Sequence, residues 1–344
     1  MNDCETPIPA TVPDSVIALD ATVGADRPRM RRTVGNSRFR RLQHIHTAVI
    51  TAAGSAGVIA AVFLHAFVQP VSGAALGLFL LFFFFVGMGL TIGFHRHFTH
   101  RSYKAPAALR AVLAILGSMA GQGPVVFWVA LHRMHHELAD REGDPHSPNL
   151  HGEGWCNKLR GIVHAYIGWT VRHEVPNANF YARDLLGNPL IMWVNRYYYA
   201  WIMLGLALPT ALGWAITGTG YGALEGFLWG GLIRLFALHN VIWWITSFAH
   251  VLGSRDFSSR DLSTNNVWLA VPTLGESWHN NHHAFPRAAI LSLRWWQIDI
   301  SGAVVALLEK LGVISDVCRV TPEERQRRRN PRPLVQHTPE SGIK

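Results

Sequence analysis

Residues 47–67, TAVITAAGSAGVIAAVFLHAF, contain no Lys, Arg, Asp or Glu. As a helix this run measures about 31 Å, close to the thickness of a bilayer's hydrocarbon core. In lipid a single segment must satisfy every backbone polar group internally, so it is read as a helix. Three further runs follow: Val71 to His100, Tyr197 to Ile216 and Gly222 to Leu252. The second would be about 45 Å long. Its histidine-bearing end should therefore stand clear of the bilayer, and the over-long fourth run ends beside His250. Only 15% of the chain is charged, against about 25% in soluble domains.

Charge sets the orientation. The turns at Gln69-Pro70 and Thr217 to Tyr221 lack Lys and Arg, whereas the N-terminus, the section 101–196 and the C-terminus carry them. The positive-inside rule puts those three segments in the cytoplasm, and four crossings satisfy it. The apolar stretches Ala105 to Leu131 and Ala288 to Ile314 are read as interfacial or re-entrant. A crossing at the first would separate His132 from His100 across the membrane, and "GQGP" would break its helix midway. A crossing at the second would carry the basic tail outside. The expected fold is an all-α integral membrane protein, with four transmembrane helices and a cytoplasmic helical cap holding a histidine-ligated dimetal site. Its expected divisions are a disordered basic tail (1–42), a membrane domain (43–320) and a basic C-terminal tail (321–344). The net charge of +9 reads as a cytoplasmic face rather than a nucleic-acid site. Cys4, Cys156 and Cys318 form neither a disulfide framework nor a zinc pair.

Two segments share the spacing H-x-x-H-H: "LHRMHH", with His132, His135 and His136, and "SWHNNHHAFP", with His279, His282 and His283. On a helix each trio spans an arc of about 100°. His95 and His100 end the second run and His250 the fourth, which places nine imidazoles on one side of the membrane. Nine exceed the needs of one tetrahedral zinc site. Shared between two ions they supply four or five ligands each, and imidazole suits iron, zinc, copper or nickel. His97 points elsewhere around its helix and is assigned to the surroundings of the ligands. His44, His46, His65, His239 and His337 are read as structural or surface residues. Asp140, Asp144, Asp261 and Glu276 lie near the boxes, and such carboxylates commonly hold the far nitrogen of a ligand histidine.

"GFHRHFTHRSYKA", "WVALHRMHHELADREGDPH" and "GESWHNNHHAFP" resemble the three histidine boxes of membrane fatty-acyl desaturases, in particular the delta-9 (stearoyl-CoA desaturase-like) type. The resemblance runs from about His44 to Val320. It implies an oxygen-dependent desaturase with two non-heme irons, which uses O2 and two external electrons to place a cis double bond in a long-chain acyl substrate. His95, His100, His132, His135, His136, His250, His279, His282 and His283 match the catalytic iron ligands. Trp128 matches a residue that shapes the substrate kink, with Gln122 along the same tunnel, and Arg172 and His173 match a basic pair facing the nucleotide of acyl-CoA. Thr246 stands where the family has an Asn reaching iron through water, and its hydroxyl could hold that water. Ala130-Leu131 replaces an Arg-Asp pair that contacts CoA, and Tyr166 replaces a His. These departures leave acyl-CoA, acyl carrier protein and membrane lipid open as carriers.

The chain shows no flavin, nicotinamide, heme or iron-sulfur motif. Electrons are therefore expected from a separate ferredoxin, rubredoxin or b-type cytochrome with its reductase. The expected location is a bacterial inner membrane, with both termini cytoplasmic. Two other functions use the same histidines. One is a membrane hydroxylase of alkyl or acyl chains. The other is a metal transporter or sensor, for which Arg234 and Glu225 are the candidates at mid-depth.

Overall fold

The computed structural model describes residues 31–329. Cys4, His337 and the outer parts of both basic tails lie outside them. In chain order the helices are α1 (Ser37–Phe67), α2 (Gly73–Thr99), α3 (Ala107–Ser118), α4 (Val125–Leu138), α5 (155–172), α6 (Pro189–Arg196), α7 (Tyr198–Thr217), α8 (Gly220–Phe248), α9 (His279–Ala284), α10 (Ile300–Lys310) and α11 (Pro322–Arg328). Two single turns lie between α5 and α6. The helix starts are capped by short polar side chains. Asn36 accepts from Arg38 N and Phe39 N, Ser72 from Ala75 N, and Thr219 from Gly222 N. Gly218, at φ 67°, ends α7 in the left-handed conformation that glycine adopts without strain.

Among the described residues, α1, α2, α7 and α8 are long and apolar enough to cross a membrane. Helix α3 has 12 residues, about 18 Å, and cannot span. Gly121 and Gly123 then take positive φ ahead of α4, which is the break expected at "GQGP". Helix α10 is also too short, so both doubtful apolar stretches stay on the cap side. Spans α1 and α7 are mostly outward-facing, with Ile59, Phe63, Phe67, Met203 and Trp214 exposed as on a lipid-facing surface. Spans α2 and α8 form the inner pair, and both continue into the cap.

Small residues set the helix contacts. A methyl group on Gly213 would sit 2.1 Å from Gly222 O, and one on Gly226 would sit 2.1 Å from Pro209 O. Close approach of α7 and α8 therefore requires glycine. At the base of the cap, Gly89 of α2 crosses Gly117 of α3 in the same way. The two charges expected at mid-depth are committed to the fold. Arg234 donates to Met119 O (2.6 Å), Gly205 O (2.8 Å) and Gly230 O (3.2 Å). Glu225 accepts from Ser72 N and Ser72 Oγ. Neither lines a cavity beside the metal centre described below, and the transporter reading loses its candidates.

Both tail boundaries need correction. Residues 33–42, assigned to a disordered tail, are structured. Strand β1 (Thr33–Val34) pairs antiparallel with β2 (Val175–Pro176), and α1 begins at its Asn36 cap. Residues 322–328, assigned to the basic tail, form α11. Thr321 and Glu324 make its capping box, and Arg328 donates to Ala284 O beside the third histidine box (2.6 Å). The basic composition of these segments concealed specific partners. Both ends of the described chain thus lie on the cap.

A methyl group on Gly89 would meet Gly117 N at 2.1 Å. Gly89→Ala should destabilise the fold by about 1–3 kcal/mol through overpacking, read as a lower melting midpoint in detergent. At Gly77, where a methyl group meets nothing within 4 Å, the same change should be neutral or slightly stabilising.

Candidate metal centre

The nine histidines converge in two groups. His95, His100, His132, His136 and His282 form one, and His135, His250, His279 and His283 the other. Within each group the candidate ligand atoms lie within 4.8 Å of one another, and each group could hold a metal ion. Each H-x-x-H-H box is divided between them. On α4, His132 and His136 face the first group and His135 the second. On α9, His279 and His283 face the second and His282 the first. Around a helix i+4 falls about 40° to one side of i and i+3 about 60° to the other. One box can therefore serve two neighbouring ions.

Helix α2 solves a different problem. His95 and His100 are five residues apart, a separation that an α-helix turns to different faces. From Gly89 to Thr99 the chain is a π-helix, and His100 N donates to His95 O (3.2 Å). The wider i→i+5 turn brings the two rings to 4.9 Å between centroids.

The nitrogens are close. His95 Nε2 lies 3.0 Å from His282 Nε2, which lies 2.8 Å from His136 Nε2. His136 Nε2 and His132 Nε2 are 3.1 Å apart. In the second group His279 Nε2 lies 3.1 Å from His250 Nε2 and 3.0 Å from His283 Nε2. Metal–nitrogen bonds of about 2.1 Å at right angles give edges of about 3.0 Å, while a tetrahedron gives about 3.4 Å. Within each group the nitrogens are close enough to share one ion.

Four carboxylates hold the far nitrogens. Glu276 meets His95 Nδ1 (2.7 Å), Asp144 meets His135 Nδ1 (2.9 Å), Asp140 meets His250 Nδ1 (2.9 Å) and Asp261 meets His283 Nδ1 (2.8 Å). Each contact leaves the corresponding Nε2 free for a metal. Burial, reinforced by neighbouring imidazoles, pushes His132, His136, His279 and His282 well below the usual imidazole range, which keeps them as neutral donors. At His135 burial acts downward, but Asp144 together with Asp140 and Asp261 outweighs it and the net direction is up. His100 Nδ1 and Nε2 and His135 Nε2 are buried without a hydrogen-bond partner. An unmet buried polar atom costs about 1–3 kcal/mol, and a coordinated cation removes that cost. The donor set therefore fits a pair of metal ions.

Some supporting residues carried no signal in sequence. Arg96 donates to Glu276 Oε1 (Nε, 3.1 Å) and to Asp299 Oδ1 (Nη2, 2.8 Å), linking His95 to the start of α10. Arg133, inside the second box, donates to Phe98 O (2.8 Å), Thr99 O (3.1 Å) and Asp184 Oδ1 (2.7 Å), which ties α4 to the end of α2. Both resembled ordinary surface arginines.

Trp128 stacks on His132 at 5.1 Å and donates from Nε1 to Gln122 Oε1 (3.4 Å). Both residues line a cavity with Gln43, His46, His239 and Thr246, so His46 and His239, read as structural or surface residues, face this space. Tyr166, the other departure, donates to Asn240 Oδ1. Three of the expected residues have other partners. His97 turns away from both groups, with Nδ1 against Tyr103 O (3.1 Å) and its ring against Tyr103. His173 is buried against Gln43 and Glu174 O, and burial pushes its pKa down to about 4, so it supplies no cation for a nucleotide. Arg172 is exposed, and neither it nor His173 lines the cavity. Thr246 donates to Ala165 O (2.7 Å) and lines both cavities, which leaves its oxygen free to accept.

The family model for "Fatty acid desaturase" matches residues 70–300, which contain all nine histidines. The chain belongs to the fatty acid desaturase family. It is 46% identical over 288 residues to the "Hex-5-enoyl-[acyl-carrier protein] acetylenase" of Moorena producens (strain JHB), covering 83% of this chain and 89% of that protein. It is 35% identical over 250 residues to the "sn-1 stearoyl-lipid 9-desaturase" of Anabaena variabilis, covering 72% and 85%. It is 38% identical over 244 residues to "Delta-9 acyl-lipid desaturase 1" of Arabidopsis thaliana, covering 71% and 74%. This desaturase is thus a membrane enzyme with a metal site, acting on an acyl or lipid substrate.

Asp261→Asn removes the charge that holds His283. The change should weaken metal binding at the four-histidine group by about 10–100-fold. Elemental analysis after mild dialysis should find close to one ion per chain instead of two.

Proposed function

We infer that this desaturase introduces a cis double bond of the delta-9 type into a saturated acyl chain, using two non-heme irons, O2 and two electrons from a separate donor. The observation that carries the reading is the division of nine imidazoles into groups of five and four beside one cavity. When bound, the irons supply dioxygen activation and hydrogen abstraction, which closed-shell zinc cannot. In the overall balance dioxygen becomes two waters. Two of the four electrons come from the broken C–H bonds and two from the donor.

The chain's own residues hold and exclude. His95, His100, His132, His136 and His282 are assigned to one iron, and His135, His250, His279 and His283 to the other. Glu276, Asp144, Asp140 and Asp261 orient four of these rings. Trp128 and Gln122 brace each other at the bend of the cavity, and Gln122 Nε2 donates to Leu238 O on α8 (3.1 Å). Phe127, Ile242 and Trp243 keep the outer part dry. This places one carbon pair at the metals and holds the rest of the chain still.

The cap is assigned to the cytoplasm, because both short turns on the other side lack Lys and Arg. The 46% identity to a bacterial protein supports a bacterial inner membrane. A ferredoxin, rubredoxin or b-type cytochrome with its reductase would dock on the basic cap. The relatives' names include both a carrier-protein and a lipid substrate.

The decisive experiment is lipid analysis of cells expressing the chain or its His282→Ala variant, with double bonds located by mass spectrometry. A cis-9 monoenoic acid that disappears in the variant is expected. Hydroxylated chains instead would assign the protein to oxygen insertion. An unchanged profile from folded, iron-loaded, electron-supplied protein would end the desaturase reading.

A further inference from the structure

The match to the family model ends at residue 300. Beyond it the chain comes back to the metal centre. Helix α11 has seven residues, too few to hold a helix in water unaided. It needs a seat elsewhere in the fold, and that seat is the third histidine box.

The box helix, α9, has six residues. The last four carbonyls of a helix have no partner within it, so α9 depends on donors from outside. Its last residue, Ala284, directly follows His283 and is 0% exposed. Arg328 Nη1 donates to Ala284 O (2.6 Å), and its guanidinium lies 5.5 Å from the ring centroid of Phe285, the residue that ends α9. A hydrogen-bonded cation is the favourable charge for a helix C-terminus, and a guanidinium is attracted to an aromatic face.

A second connection runs from the same stretch to the middle of the box. Ser258 N donates to Arg328 O (2.7 Å), and Phe257 forms a β-bridge with Arg329. Phe257 N donates to Asn280 Oδ1 (2.9 Å), and Asn280 Nδ2 donates back to Phe257 O (3.0 Å). Asn280 stands between His279 and His282. The rings of Phe257 and Phe285 meet edge to face at 5.2 Å, which closes the circuit. The same loop then carries Asp261 to His283 Nδ1 (2.8 Å). Arg325, one residue short of a full turn earlier on α11, donates instead to Leu293 O (2.9 Å), outside the box.

We propose that Arg328 is a positioning residue for the metal centre. It caps the C-terminus of α9 and so fixes His279 and His283 for the ion of the four-histidine group. Helix α9 supplies two of the four histidines in that group and one of the five in the other, so a displaced α9 costs the four-histidine group more. A segment that reads as a basic tail thereby governs metal retention. The inference rests on the two-metal reading of the histidines, and needs neither the acyl substrate nor the position of its double bond.

The test uses the full-length protein loaded with ferrous iron in detergent, with metal read by elemental analysis after mild dialysis. Arg328→Met keeps most of the arm's length and loses the donor and the charge. It should weaken the ion of the four-histidine group by about tenfold, as loss of a partner behind a ligand does, and leave close to one ion per chain. Arg328→Lys, which can still donate to Ala284 O, should recover most of the second ion. Arg325→Met should keep both. Asp261 serves the same ion, so Arg328→Met combined with Asp261→Asn should lose only that one. Combined with Glu276→Gln, which loosens His95 in the other group, Arg328→Met should lose both. Two ions retained by Arg328→Met, or equal losses from Arg328→Met and Arg325→Met, overturn the proposal. Fewer than two ions in the wild type would instead end the two-metal reading.

Linkage supplies a measurement that needs no variant. If a seated α11 raises metal affinity, the metal must stabilise the seating of α11 by the same factor. Hydrogen exchange of the wild type should show residues 322–329 and 279–285 losing protection together when the metal is removed, with α1 unchanged. Protection of residues 322–329 that does not respond to the metal would overturn the proposal.

Discussion

Nine imidazoles are gathered in two groups, seven of them with another ring's nitrogen about 3 Å away, an arrangement unstable without a cation between them. Protonated, the rings would repel. Neutral, several ring nitrogens have no hydrogen-bond partner. Much of the cap follows from this constraint. The carboxylates Asp140, Asp144, Asp261 and Glu276 turn four rings to present Nε2. Arg96, held by Glu276 and Asp299, fastens that arrangement to α10, and Arg133 fastens α4 to the end of α2. Removing one member of such a buried network leaves an uncompensated charge, which costs more than the lost contact.

The membrane-spanning part serves the same end. The inner spans α2 and α8 are longer than a bilayer needs, and their excess length carries His95, His100 and His250 to the cap. Glycines at the α7–α8 and α2–α3 crossings let the backbones touch, so the helices approach the centre at fixed angles. The short helices α3 and α4, separated by the bend at Gly121 and Gly123, fold back instead of crossing. That fold places the second box beside the first and leaves a cavity next to them.

Much of this was legible in the chain. Runs of about twenty apolar residues can only be helices in lipid, so four crossings could be read directly. The H-x-x-H-H spacing puts three rings on one helix face whatever surrounds it. Asp144, assigned to the surroundings of the ligands, holds His135. His97 points away from the ligands, as its position on the helix implies, and the partners of His173, Gln43 and Glu174, leave no mark in the sequence. The bond from Thr246 to Ala165 O is likewise invisible in the sequence.

Sequence alone determined the spans, their common side and the histidine inventory, because hydrophobic length, charge asymmetry and helical period are local properties. Only the tertiary structure decided which histidine joins which group. It also decided how the π-turn of α2 pairs residues five apart and which acids hold which rings. Those outcomes depend on distances between elements far apart in the chain, set by glycine contacts and buried ion pairs that leave no periodic trace in the sequence.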